Sequence, residues 1–246
     1  LNRFEIYLKN TNAADRLNER NAQLSARFGD TIFSDWSDDE FKEAGFDRFL
    51  KCGSCWAFAT VATVETSYAI NNRELRSLSE QQLLDCDLVD NACNGGHVDT
   101  ALQYIYDNGL MTEYDYPYVA HRQDTCYLHG ATTTIKSAVF VHPDETSIID
   151  WLLHFGPVNV VINATADIKQ YKGGVYTPDQ WECENKIIGL HALNIMGYGT
   201  WNETNEKYWI IKNSWGQSYG IQQGYMYFAR GINACGIEDQ PMGVIA

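Results

Sequence analysis

The segment Cys52-Gly-Ser-Cys55-Trp-Ala-Phe58 holds the residues of this chain best suited to covalent chemistry. Two cysteines at this spacing admit three readings: a redox dithiol, half of a zinc site, or a nucleophile beside a structural cysteine. A zinc site wants a second close pair of Cys or His ligands. The sequence offers none, since six residues separate Cys86 from Cys93 and no two histidines have ligand spacing. A redox dithiol wants a βαβ frame, and residues 29–51 supply little strand. Under the third reading Cys55 opens a helix, where unpaired N–H groups and the helix dipole favour a thiolate. A nucleophilic thiol needs a base, and the base needs an orienting partner. His191 in GLHALNIMGYG and Asn213 in YWIIKNSWG provide both types. His97, His121, His129, His142 and His154 read as packed or surface residues.

The elements that must position these groups divide in two. Residues 1–28 read as a helix, with Phe4, Leu8, Leu17 and Leu24 among many charges. Residues 29–43 suggest a strand or turn and then a helical turn capped by Ser37 with Glu40 three residues on. After a polar joint, the small and apolar residues from Cys55 predict a buried helix closed by Asn71 and Asn72. Ser79 opens a second helix, and HVDTALQYIYDNGL is a third, ending at Gly109. From about residue 131 short β-rich runs follow, separated by Gly, Asn and Asp turns. A helical first half and a strand-rich second half imply an α+β fold of two packed lobes with a groove between them.

The chain has 246 residues, 45% of them hydrophobic, and carries a net charge of −14. That excess of carboxylates argues against nucleic acid, whose binders present a basic face to phosphates. It suits solubility and an acidic compartment equally. No apolar run reaches the roughly 18 to 20 residues needed to cross a bilayer, so no membrane contact is expected. No leader is visible, and a first residue of Leu1 points to a processed or partial sequence. Seven cysteines, an odd count, leave one thiol over in an oxidising compartment.

CGSCWAFA resembles the active-site signature of the papain family. His191 and Asn213 follow at close to the family spacing, and SLSEQQLLDCD, ACNGG, YDYPY, YKGGVY, HALNIMGYG and KNSWG fall in family order. The resemblance therefore spans nearly the whole chain. It implies a papain-like two-lobe fold over residues 47–246, with a helical lobe at about 50–130 and a β-barrel-like lobe at about 131–246. The activity it implies is peptide-bond hydrolysis by Cys55 as nucleophile, His191 as base and acid, and Asn213 as orienter. Trp215 resembles the tryptophan that shields the His–Asn hydrogen bond. Gly95 and Gly96 match a glycine pair whose backbone meets an extended substrate. Val98, Val161 and Ala192 match the walls of the main specificity pocket, and Gln240 its floor. Disulfides Cys52–Cys93, Cys86–Cys126 and Cys183–Cys235 are implied, leaving Cys55 as the thiol. No metal and no organic cofactor is implied. Peptide or protein substrates and cystatin-like inhibitors are the expected partners of a monomer, and the location is lysosomal or secreted. Sequons at Asn163 and Asn202 agree with that route.

The first 46 residues resemble the inhibitory propeptide of the same family. Arg3, Tyr7, Asn10, Ala14 and Asn18 fall at the spacings of its interspersed helix motif, and Gly29, Thr31, Phe33 and Asp35 match its second motif. Ala14, Thr31 and LSEQQLLDCD lean toward the cathepsin F branch. The pattern then breaks, because only Ala44 to Ser54 separate Glu43 from Cys55 where the family carries several tens of residues. Phe49 stands where the family has the glutamine of its oxyanion hole. Loss of one such donor costs about 10²- to 10³-fold in rate, with Arg48 and Lys51 as the nearby substitutes. An impaired or shortened relative is accordingly the alternative reading. Tyr219, in place of the usual Trp, and one extra residue before Gly224 predict a changed loop.

Overall fold

The computed structural model describes residues 3–31, 33, 34, 36–38, 40, 52–130 and 132–246, with the backbone alone at residue 4. Helix α1 (Arg3–Arg20) ends sooner than its composition suggests. The chain reverses through Asn21, whose N–H donates to Leu17 O at 3.0 Å. It returns as strand β1 (Arg27–Phe28). Asn18 clamps the reversal, donating from Nδ2 to Phe28 O and accepting Phe28 N–H, each at 2.9 Å. The inward face of α1 is Ile6, Asn10 and Ala14, while Leu8 is exposed. A helix buries whichever stripe meets its neighbour, and here that stripe includes a polar residue. Asn10 Nδ2 donates to Ser34 O and Trp36 O at 3.0 and 2.8 Å. Ser37 and Glu40 form the reciprocal capping pair, with Glu40 N–H donating to Ser37 Oγ at 3.1 Å and Ser37 N–H to Glu40 Oε2 at 2.9 Å.

Helix α2 (Cys55–Asn72) is buried along most of its length. Thr60, Thr63 and Thr66 fit that interior by returning their hydroxyls to the carbonyls of Trp56, Ala59 and Ala62. Asn71 and Asn72 form the last two residues of this helix, donating back to Ser67 O and Tyr68 O, and Arg73 after them takes the left-handed cap at φ 57°. Helix α3 (Glu80–Cys86) starts at Ser79, whose side chain accepts Gln82 N–H, and α4 (Val98–Asn108) stops at Gly109, φ 70°. These three helices share one core cluster with Met242, Val244 and Ala246 from the C-terminus.

The second half contains two helices that its β-rich texture conceals: α5 (Glu145–His154) and α6 (Gln180–Asn185). Their local signals are Asp144 and Asp179, each accepting a backbone N–H from three residues on. The strands are β2 (Ser137–Phe140), β3 (Val158–Thr165), β4 (Tyr171–Gly173), β5 (Val175–Tyr176), β6 (Ile187–Thr200), β7 (Lys207–Lys212), β8 (Tyr225–Ala229) and β9 (Met242–Ile245). Seven of them form one sheet in the order β2-β9-β3-β6-β7-β8-β5, and β1 pairs with β4 separately. The changed loop before Gly224 is a turn in which Gln222 and Gln223 take positive φ and Ile221 pairs with Tyr225.

Residues 25–31, 33 and 34 dock on the second half. Gly29 N–H donates to Gln170 O at 3.0 Å, Thr31 Oγ1 to Lys169 O at 2.6 Å, and Asp38 pairs with the buried Lys169. Phe33, 1% exposed, meets Trp215 edge-on with centroids 5.4 Å apart. Truncating a buried Phe removes about 3 to 5 kcal/mol. Phe33→Ala is therefore expected to undock this segment, raising hydrogen exchange of amides in residues 25–31, 33 and 34 while those of α2 stay protected. Unchanged exchange in the docked segment would show that Phe33 does not hold it.

Candidate active site

Three disulfides, Cys52–Cys93, Cys86–Cys126 and Cys183–Cys235, leave Cys55 as the remaining thiol. The first of them fixes the approach to α2. Gly53 N–H donates to Cys93 O at 2.8 Å, and a Cβ on Gly53 would lie 2.6 Å from that same oxygen. Cys55 is thereby delivered to the first position of α2, half-buried, at the positive end of the helix dipole.

The base comes from the sheet. His191 lies in β6 and Asn213 directly after β7, and these strands are antiparallel neighbours. His191 Nε2 donates to Asn213 Oδ1 at 2.9 Å, and the same oxygen accepts Ser214 N–H at 2.8 Å. Trp215 lies under the imidazole, stacked with centroids 4.8 Å apart, and is itself 0% exposed. Burial lowers the His191 pKa to about 4, opposed by the bond to Asn213. Beneath the segment docked by Phe33, the ring is thus neutral at mild acidity.

Val98 and Ala192 belong to one core cluster, with Cys55 and Val161 packed against it, and Val161 pairs with Ala192 between β3 and β6. Gln240 is exposed ahead of β9 and lies outside that cluster, to which Met242 of β9 belongs. The two glycines have different requirements. Gly95 has φ 106° with nothing near its missing Cβ, whereas a Cβ on Gly96 would strike Trp56 at 2.5 Å. For Gly96 the close approach is therefore to an indole of the protein itself.

Behind the site a cavity of about 70 Å³ is lined by Glu65, Glu80, Ala192, Asn194, Lys212 and Asn213, among others. Burial raises the carboxyl of Glu65 and, well above its usual range, that of Glu80, to which Glu65 adds repulsion. Among the described residues no group of three or more His, Cys, Asp or Glu could hold a metal ion, and no helix is long and apolar enough to cross a membrane. Asn202 sits in an exposed turn and Asn163 is half-buried in β3. Asp35, Arg48, Phe49 and Lys51 lie outside the described residues.

Asp87 and Asp90 escaped the sequence reading. They are 2% and 3% exposed and brace the loop that ends in Gly95-Gly96. Asp90 accepts His97 N–H at 2.8 Å and the Thr100 hydroxyl at 2.7 Å. Burial, then the neighbouring Asp90, raises Asp87 to about 6. The folded state thus keeps a proton that an unfolded Asp releases near pH 4. Stability from this group is complete below about pH 4 and is lost as pH rises through about 6. His191, lowered in the fold, acts with the opposite sign over about pH 4 to 6.5. Asp87→Asn keeps an amide donor in place of the acid proton and removes only the first effect. Thermal melts at pH 4.5 and 7 are therefore expected to fall less for the variant than for the parent. Equal falls would exclude Asp87 as the source.

The sequence matches the papain family cysteine protease over residues 34–245 and the cathepsin propeptide inhibitor domain over residues 1–41. Cathepsin F of Drosophila melanogaster is 35% identical over 290 residues, covering 99% of this chain and 46% of that protein. A viral cathepsin of Mamestra configurata nucleopolyhedrovirus is 37% identical over 251 residues, covering 96% and 72%. Mouse (Mus musculus) cathepsin F is 43% identical over 189 residues, covering 76% and 40%. This chain thus spans less than half the length of either cathepsin F. Among solved structures, digestive procathepsin L 3 of Tenebrio molitor larval midgut superposes with a TM-score of 0.86 at 28% identity, covering 99% of this chain and 91% of that one. The ragweed Amb a 11 cysteine protease in its proform gives 0.86 at 28%, covering 99% and 88%. On a signature, a fold and a propeptide match that all agree, the chain belongs to the papain family of cysteine proteases.

Proposed function

We propose that this chain is a cysteine peptidase in its precursor form, hydrolysing peptide bonds through an acyl-enzyme. The observation that carries this reading is the placement of the one thiol outside the disulfides at the head of α2 while the His191–Asn213 pair is held at 2.9 Å over Trp215. With Nε2–H committed to Asn213, proton exchange falls to Nδ1. The Cys55 thiolate attacks the scissile carbonyl carbon, and the π electrons move onto oxygen, which faces the Cys55 N–H. Collapse expels the amine, which takes its proton from His191, and leaves a thioester. His191 then accepts a proton from water, and the resulting hydroxide attacks the thioester. A second collapse releases the carboxylic acid and restores the thiolate and imidazolium.

Residues 1–46 act as the inhibitory segment and 47–246 as the peptidase domain, its lobes meeting near residue 130. Val98, Val161, Ala192 and Gln240 shape the main specificity pocket, and Gly95-Gly96 meets the peptide backbone. The partners are peptides, proteins and cystatin-like inhibitors, and the working form is a monomer. Three disulfides fit a lysosomal or secreted protein. Asn202 is the accessible glycosylation site; Asn163, whose sequon Thr165 is 2% exposed, requires modification before folding.

The test is labelling with a peptidyl epoxide selective for activated papain-type thiols, at the mild acidity where the thiolate persists. One adduct, on Cys55, is expected in the Phe33→Ala chain, and none after His191→Ala. Absence of the adduct while iodoacetamide still modifies Cys55 would leave a thiol without catalytic surroundings and defeat the reading. Phe49→Gln supplies the donor that the family carries there, so turnover of a peptide substrate is expected to rise about 10²- to 10³-fold.

A further inference from the structure

Among the described residues three α-helices carry a side-chain cap at the N-terminus, and two, α4 and the α2 that carries the nucleophile, do not. Ser79, Asp144 and Asp179 have extended backbones, and their side chains accept N–H groups of Gln82, Ser147 and Glu182. Ser54 is also a preferred cap residue at the head of a long helix. It makes no cap hydrogen bond, and its backbone lies at φ −95°, ψ 11° instead of the extended region. Its hydroxyl is 0% exposed and shares a hydrogen bond with the Tyr118 hydroxyl at 2.5 Å. Tyr118 is fixed for this task. Its ring meets Phe58 edge-on at 4.9 Å, and its N–H donates to Glu113 Oε1 at 2.8 Å. On the other side, Ser54 N–H donates to Cys52 O at 2.9 Å, within the frame of the Cys52–Cys93 disulfide.

We propose that Tyr118 is a positioning residue for the nucleophile, holding the Ser54 hydroxyl away from the end of α2 so that the serine oxygen does not cap the helix beside Cys55. A serine oxygen placed on those amides would offset the partial positive charge that favours the thiolate. Tyr118 acts on the sulfur through Ser54, with which it shares its hydroxyl hydrogen bond. The inference rests on Cys55 being the nucleophile.

The experiment is the pH dependence of iodoacetamide alkylation in the full, disulfide-intact chain, with mass spectrometry confirming a single adduct on Cys55. Tyr118→Phe frees Ser54 to cap and is expected to raise the apparent thiol pKa by roughly 0.2 to 0.7 of a unit, the range of one helix-end charge interaction. Ser54→Ala has no hydroxyl to cap with and is expected to keep the parent's value. The double variant should match Ser54→Ala, so the effect of Tyr118→Phe vanishes when the serine is gone. A structural loosening by Tyr118→Phe would act in both backgrounds, and that result overturns the proposal. So does a parent-like value in folded Tyr118→Phe. Should Tyr118→Phe fail to fold, Ser54→Ala decides alone, a raised value there showing that the serine already supports the thiolate. An ordinary thiol profile in the Phe33→Ala chain, where the docked segment is released, would instead defeat the nucleophile reading, a failure separable from this one.

Discussion

The chemistry of this chain depends on how strand β6 lies against helix α2. Asn194, 2% exposed, donates both amide hydrogens across that junction, to Ala59 O at 2.9 Å and to Thr63 Oγ1 at 2.6 Å. Ala59 is one helical turn beyond Cys55, and Asn194 is three residues beyond His191. The two bonds therefore set where along the helix the histidine arrives. A slip of one residue in β6 would turn every side chain to the other face of the sheet. Removing the Asn194 donors would also lose two buried hydrogen bonds, at about 0.5 to 1.5 kcal/mol each. A second tie keeps the junction from pivoting, since Ser67 Oγ donates to Val244 O and accepts Ala246 N–H. Cys55 packs against one core cluster, while Trp215, on which His191 stacks, belongs to the other, so polar bonds of fixed direction do what apolar packing alone could not.

The same junction explains why covering the site changes its electrostatics. Phe33, Trp215 and His191 form a continuous aromatic column, from the docked segment through the indole to the imidazole. Each ring in it is nearly or wholly buried. Burial disfavours the charged imidazolium, which is the main cause of the lowered His191 value. A thiolate–imidazolium pair separates charge, and a dry cover opposes that separation. Under the proposed function, segment docking restrains the chemistry through solvation.

The motifs made the proposed reacting residues legible because the proposed chemistry demands particular atoms: a thiol, an imidazole and an amide, each in its local run. The core strands were legible for a similar reason, as runs such as Val158 to Ile162 suit a buried sheet. Helices α5 and α6 were not, because their short apolar content reads equally as strand and only Asp144 and Asp179 mark their starts. Helix α1 was misread at Leu8 for a physical reason too. Its partner surface selects Asn10, whose amide satisfies two backbone carbonyls, and hydrophobicity carries no record of such a bond. The pairs Asp87–Asp90 and Ser54–Tyr118 were beyond reach because each depends on three-dimensional proximity or on a backbone angle.

Carboxyl groups in the helical half give the fold its own pH preference, independent of turnover. Glu65, Glu80, Glu113 and Asp87 are all raised, with burial the first cause in each case. Each folded carboxyl thus holds its proton to a higher pH than the unfolded chain does, and its contribution to stability fades as pH rises through the raised value. Lys212, on β7, moderates the effect at Glu65 and Glu80 without reversing it. Only the lowered His191 among the groups of the site works the other way. Ionising these acids would place like charges around the interlobe cavity and in the loop that braces Gly95-Gly96. Mild acidity therefore removes repulsion from the places where the two halves must stay in register, which is also where the thiol meets its base.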